Sequence, residues 1–128
     1  MKNKIACLIP VRSGSKRIKN KNTIIIKNKK PLIKFVCEKL SKAREINDFF
    51  IASDNKKNFN KIGIYKKKFK FFLRSKKSST DNASTELVVK EFLKKNKNYE
   101  IIILVQITNP FINSKYIDRA IQKFLKNK

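Results

Sequence analysis

Apolar runs of strand length alternate with stretches of helical period along the whole chain. Residues 5–9 form a continuous apolar run that reads as a buried strand and leads into a polar loop. A short run follows at 23–26. From Pro31, whose ring suits the first turn of a helix, Leu32, Phe35, Val36, Leu40 and Ala43 recur at helical spacing. Residues 49–52 read as a second strand, the Lys/Asn-rich stretch 55–68 as helical, and 69–73 as a third strand. Residues 81–84 can cap a helix whose apolar face is Leu87, Val88, Phe92 and Leu93. The most continuous apolar run, 99–105, is expected to be the central parallel strand, buried on both faces. Ser114 or Asn113 caps a last helix with Ile117, Ile121, Phe124 and Leu125 inward.

Repeated strand–helix units predict an α/β fold with a doubly wound, mainly parallel sheet. Ligands of such sheets bind beyond the carboxyl ends of the strands. The chemically interesting residues fall there: Arg12 to Asn22, Ser53 and Asp54, Arg74, and Gln106 each follow an expected strand. The 128 residues suit one domain.

The first of these stretches runs from Leu8 through Pro10, Arg12, Gly14, Ser15 and Lys16 to Lys21 and Asn22. A strand entering a Gly/Ser loop rich in cations is a common way to hold phosphates. Gly14, one of two glycines in the chain, lets backbone N–H groups approach an anion closely. Ser15 adds a hydroxyl, and Arg12, Lys16 and Lys21 add charge. Neither G-x-x-x-x-G-K-[ST] nor G-x-G-x-x-G is present, which argues against a P-loop or a dinucleotide site. On local pattern alone, a basic surface turn stays open as the alternative.

At these residues the chain resembles the acylneuraminate cytidylyltransferase family, the CMP-sialic acid synthetases and their relatives. Those proteins open with a loop close to I-I-P-A-R-G-G-S-K-G-I-P-x-K-N, against L-I-P-V-R-S-G-S-K-R-I-K-N-K-N here. Four further blocks follow in the family's order. They are Lys30-Pro31-Leu32-Ile33, Phe50-Ile51-Ala52-Ser53-Asp54, Leu73-Arg74 with Thr80-Asp81-Asn82-Ala83-Ser84-Thr85, and Leu104-Val105-Gln106-Ile107-Thr108-Asn109-Pro110. The resemblance covers essentially the whole chain but about the first half of a family member. Three departures stand out: Ser13 for a loop glycine, Ser75 for a proline, and Ile112 where the family has an arginine.

The resemblance implies a Rossmann-like nucleotidyltransferase fold, incomplete at its C-terminal side. It implies transfer of a cytidylyl group from CTP to a nonulosonic, sialic-acid-like sugar with release of pyrophosphate, in carbohydrate, lipopolysaccharide or capsule biosynthesis. Arg12 and Lys21 would be catalytic. Arg12, Gly14, Ser15, Lys16, Asn22, Arg74, Ala83, Ser84 and Thr85 would bind the nucleotide, and Gln106 would face the sugar. Relatives hold Mg²⁺ on a pair of Asp residues in their second half. The ion is therefore implied while its ligands are not found in this chain. Asp54 and Asp81 lie nearest the expected cleft, and strand-end hydrogen bonding and helix capping are plainer roles for them.

Composition narrows the remaining classes. The formal charge is +24, from 33 basic and nine acidic residues. Only five of the basic residues are Arg, and the lysines are spread over every element alongside abundant Asn, Ile and Phe, as codon bias in an AT-rich genome produces. Nucleic acid is therefore not the expected partner. No run of 18 apolar residues suggests a membrane span. Cys7 and Cys37 fall in apolar elements and read as buried thiols of a cytoplasmic protein. No histidine is present, which removes His-based acid/base chemistry. The expected partners are CTP and a nonulosonic acid, with a homodimer or a complementing C-terminal polypeptide left open. A catalytically inactive nucleotide- or sugar-nucleotide-binding relative, and a basic nucleic-acid-binding domain, remain as alternatives.

Overall fold

The computed structural model describes residues 4–11, 31–79, 85–107 and 112–127. Four strands, β1 (Ile5–Val11), β2 (Asp48–Ser53), β3 (Phe69–Leu73) and β4 (Ile101–Leu104), form one sheet in the order β3-β2-β1-β4. Every pairing is parallel. Four α-helices complete the described fold: α1 (Leu32–Leu40), α2 (Lys56–Asn60), α3 (Thr85–Lys95) and α4 (Ser114–Lys126). The α/β, doubly wound expectation holds.

Both faces of the sheet are covered. Ile5, Cys7, Ile9 and Val11 of β1 point to a core shared with α1 and with Ile121 of α4. Ala6 and Leu8, alternating with them, point to a second core made with Val88 and Phe92 of α3. Phe92 is fully buried, with ring contacts to Phe50 at 4.7 Å, Phe72 at 5.3 Å and Tyr99 at 5.8 Å. Burial on both faces explains why all seven β1 residues are buried and read as one apolar run.

The helices form where capping and periodicity direct them. Asn113 caps α4 by accepting from the Lys115 N–H at 2.9 Å. Asp118 then fixes α4 to the turn after α1, accepting from the backbone N–H groups of Arg44 (2.9 Å to Oδ2) and Glu45 (2.9 Å). The buried stripe of α1 is Ile33, Val36, Cys37 and Leu40, one residue rotated from the expected Leu32 and Phe35, which are half-buried. The stretch expected to be helical over 55–68 splits into α2 and a 3-10 turn, Gly63–Lys67, because Gly63 takes a φ of +61° that ends the first segment. Both thiols are buried and free, and burial pushes each well above its usual range; for Cys37 the neighbouring Cys7 adds to this.

Three expectations are corrected. The 99–105 run is an edge strand of the described sheet, not its centre; β1 holds the central place. Apolarity on both faces reports what lies above and below a strand, not what lies beside it. Ile101 to Ile103 are accordingly only half-buried, and Leu104 is 41% exposed. Phe124 of α4 and Leu93 of α3 are exposed instead of inward; Phe124 lies at the rim of α4 where it overhangs β4, and no described element covers it. The short 23–26 run lies outside the described residues. Among the described residues no helix is long and apolar enough to cross a membrane.

Candidate functional site

The parallel register brings the strand ends to one edge. Val11 of β1 pairs with Ser53 of β2, and Ser53 with Leu73 of β3. Asp54 and Arg74, the residues that follow β2 and β3, therefore leave the sheet side by side, next to the end of β1. On the other flank Leu8 pairs with Leu104 of β4, which sets Gln106 level with Pro10. Three strand spacings of about 4.8 Å put the ends of β3 and β4 about 15 Å apart, the span of a nucleotide-sized ligand.

The chain steps from β1 to β2 to β3 in one direction, then crosses back over α3 to place β4 on the opposite side of β1. The strand order thus reverses between β1 and β4, and the crevice outside their carboxyl ends is where open α/β sheets bind ligands. Pro10 helps to open it. Even-numbered β1 residues face β4: the Lys4 carbonyl accepts from Glu100 N–H at 2.9 Å and the Leu8 carbonyl from Val105 N–H at 3.1 Å. Pro10 is next in this series and has no N–H to offer, and the ladder stops there. Beyond that point the end of β1, at Val11, lies on one side and Gln106 on the other.

Two further strand ends carry built-in order. Ser53 is fully buried, and its Oγ accepts from the Asn58 side chain at 3.0 Å and from the Asn55 N–H at 3.2 Å. Asn55 in turn caps α2, accepting from Lys57 N–H at 2.8 Å. This turn holds Asp54 exposed at the edge, 3.5 Å from Ser53 Oγ.

Arg74 is buried, its N–H bonded to the Ser53 carbonyl at 2.9 Å and its guanidinium donating to the Ser78 carbonyl. Ser75 Oγ donates to Glu91 of α3, as does the fully buried Ser78 Oγ at 2.6 Å. Burial would raise the Glu91 carboxyl, but the hydrogen bonds from Ser75 and Ser78 and the charge of Arg74 outweigh it and hold the group below its usual range. Arg74 thus sits inside a network that shapes the loop between β3 and α3. Glu91 and Ser78 were not legible as members of it: they lie on a helix face and in a short loop, joined only across 13 residues.

Of the nucleotide- and sugar-binding residues expected from sequence, the structure describes Arg74, Thr85 and Gln106. Thr85 opens α3 and is half-buried; Gln106 is exposed. Arg12, Gly14, Ser15, Lys16, Lys21, Asn22, Ala83 and Ser84 lie outside the described residues, as does Asp81. Among the described residues no three His, Cys, Asp or Glu side chains lie together in a way that could hold a metal ion. Ile112, at the position of the family's arginine, packs half-buried against the core beneath α4.

A family model described as "Cytidylyltransferase" matches residues 6–128. The pseudaminic acid cytidylyltransferase of Campylobacter jejuni (serotype O:2) is 32% identical over 131 residues, covering 99% of this chain and 55% of that protein. The N-acylneuraminate cytidylyltransferase of Escherichia coli O18:K1:H7 is 30% identical over 126 residues, covering 97% of this chain and 29% of that protein. The chain thus spans from under a third to about half the length of these curated relatives. In fold it is similar to a CMP:2-keto-3-deoxy-manno-octonic acid synthetase solved with CTP, with a TM-score of 0.78 at 22% identity over 97% of this chain and 48% of that one. A cytidylyltransferase from Leptospira borgpetersenii superposes with a TM-score of 0.73 at 22% identity, over 98% of this chain and 50% of that one. With the family model spanning nearly all of its residues, the chain belongs to the cytidylyltransferase family.

Proposed function

We propose that this chain is the nucleotide-binding part of an enzyme that transfers CMP from CTP to a hydroxyl of a nonulosonic acid. One observation carries the reading: in a cytidylyltransferase-family chain, the carboxyl end of β1 and Gln106 flank the crevice at the strand-order reversal. The reaction forms a bond between the sugar oxygen and the α-phosphorus and breaks the bond to pyrophosphate. The protein's part is positioning and charge neutralisation. Arg12 binds triphosphate oxygens in a fork that a lysine cannot reproduce. Lys16 and Lys21 offset charge, Lys21 at the leaving pyrophosphate, while Gly14 and Ser15 bring N–H and hydroxyl donors. Asn22 has the donor and acceptor that a pyrimidine edge needs. Thr85, with Ala83 and Ser84, lines the cytosine and ribose side together with Arg74. Gln106 faces the acceptor sugar.

The relatives' divalent ion needs hard oxygen ligands. The described residues do not provide them, so no step here runs through it. On this reading the ion's ligands are expected in the part of the family domain that this chain does not match. A second reading, a nucleotide-binding relative that does not turn over, is favoured by one specific observation: the position of the family's acceptor-site arginine is Ile112, half-buried against the core.

Calorimetry with CTP and ATP tests the binding reading. CTP should be preferred, and Arg12→Ala should weaken it by about 1.5–3 kcal/mol, the range for a charged hydrogen-bonding group. Lys126→Ala, on the exposed end of α4, should change nothing. Equal losses from both variants would reduce the attraction to diffuse charge and sink the reading. Pyrophosphate release by this chain with the second half of a relative, and none without it, separates the enzyme from the silent binder.

A further inference from the structure

We propose that the cleft between the turn after α1 and the first turns of α4 binds a small oligophosphate, an anion with two or more adjacent phosphoryl groups. This site stands apart from the crevice of the nucleotide reading, at the opposite edge of the sheet. Arg44 lies four residues before Asp48, where β2 begins beside Ala6. Asp54 and Arg74 follow the far ends of β2 and β3. The length of β2, Asp48–Ser53, sets the two edges about 17 Å apart.

The scarcity of arginine is the first argument. Of the 33 basic residues only five are arginines. Arg12 and Arg17 belong to the Gly/Ser stretch that follows β1, and Arg74 follows β3. The remaining two, Arg44 and Arg119, stand 75 residues apart in sequence and line one cleft. Where charge alone is needed, this chain uses lysine. A pair of guanidinium groups therefore marks a need that an ammonium does not meet: planar, bidentate hydrogen bonding to anionic oxygens.

The second argument is electrostatic. The cleft, of about 610 Å³, is lined also by Lys42 and Lys115. A hollow of about 220 Å³ shares those two lysines and adds Lys39. Among the described residues, none of these five side chains pairs with a carboxylate. The acidic groups beside them are engaged elsewhere. Asp118 lines the cleft, but its Oδ2 accepts from the Arg44 N–H at 2.9 Å and its Oδ1 from the Glu45 N–H at 2.9 Å. Glu45 accepts from the Gln122 side chain at 3.0 Å. The bonds that clamp α4 to the turn thus hold like charges together without an internal counter-charge. A multivalent anion in the cleft removes that repulsion.

The lining selects the ligand. Between the four cations stand the Ser114 hydroxyl and the Gln122 amide, which add neutral donors. No aromatic or aliphatic side chain of the described residues lines the cleft. Nothing there stacks on a base, as a single-stranded nucleic acid site does. A lone carboxylate would leave most of the donors unused. A compact anion with adjacent phosphoryl groups engages both guanidinium forks and the lysines at once.

The test titrates inorganic pyrophosphate into the Arg12→Ala variant of this chain at about 0.15 M salt, where diffuse attraction is screened. Amide signals of residues 42–45 and 114–119 should move together and saturate, with a dissociation constant below about 1 mM. In that background Arg44→Gln and Arg119→Gln should each weaken the binding about tenfold or more. Arg44→Lys combined with Arg119→Lys keeps the charge and should still weaken it about fivefold or more, because the forks are lost. Lys123→Gln and Lys126→Gln, on exposed positions of the same helix beyond the cleft, should change it by less than about twofold. CDP should bind as tightly as pyrophosphate, since its base meets no partner, and orthophosphate more weakly. Absence of saturable shifts, a lysine double variant as tight as its parent, or equal losses from Lys126→Gln would overturn the proposal. So would a short single-stranded DNA that displaces pyrophosphate at a lower concentration than CDP does, which would make this face a nucleic-acid surface. Because Arg12 is absent and the signals belong to α4 and the turn after α1, the result is independent of whether the crevice binds CTP.

Discussion

Replacing Glu91 by alanine should loosen the loop between β3 and α3 by an amount the geometry fixes. Its carboxylate accepts from Ser75 Oγ, from Ser78 Oγ at 2.6 Å and from the Ser75 N–H at 3.4 Å. Ser75 is exposed, so water replaces much of what its bonds lose, and they contribute at most about 1 kcal/mol. Ser78 is fully buried, and a buried donor deprived of its acceptor costs about 1–3 kcal/mol. Its remaining contact, to the Ser75 carbonyl at 3.3 Å, recovers part of that. The expected total is about 2–3 kcal/mol for Glu91→Ala. Glu91→Gln retains an acceptor for Ser78 and should cost about 1 kcal/mol. Urea unfolding followed by far-UV dichroism at neutral pH measures both, and amide exchange should quicken at Ser78 before it quickens in β3. An alanine variant within about 0.5 kcal/mol of the parent, inside the range of ordinary surface substitutions, would refute the reasoning. A glutamine variant as costly as alanine would show that charge beside Arg74, not the serine hydrogen bonds, holds the loop.

Phe92→Ala, which empties the centre of the aromatic group formed with Phe50, Phe72 and Tyr99, should cost about 3–5 kcal/mol; a loss below about 1 kcal/mol would contradict that packing. Burial raises the Asp48 carboxyl, but the Tyr99 hydroxyl at 2.5 Å and Lys70 outweigh it, so Asp48, like Glu91, titrates below its unfolded value of 3.8 or 4.5. Their stabilisation is complete above those unfolded values and is lost as pH falls through the lower native ones, so stability should fall below about pH 4.5 and fall less in an Asp48→Asn, Glu91→Gln double variant. A double variant with the same acid profile as the parent would exclude these two groups as the cause. With +24 of formal charge, thermal stability should rise with ionic strength between about 0.05 and 0.5 M; a flat or falling Tm would show that the charges repel less than their number implies.

How legible each element was depends on what its pattern encodes. β1, β2 and β3 could be read because short apolar runs bounded by polar turns admit few alternatives. A cap at Asn113 or Ser114 could be read because capping is local chemistry, settled within three residues, and the structure assigns it to Asn113. Sheet order could not, since the periodicity of 99–105 describes faces and the neighbour of an edge is a matter of topology. Arg74 was legible as a rare arginine in a Lys-rich chain. Its confinement by Ser78 and Glu91 was not, because those contacts depend on how residues 74–79 fold back against α3. The split of the 55–68 segment turned on the single φ of Gly63, a backbone choice that composition permits but does not compel.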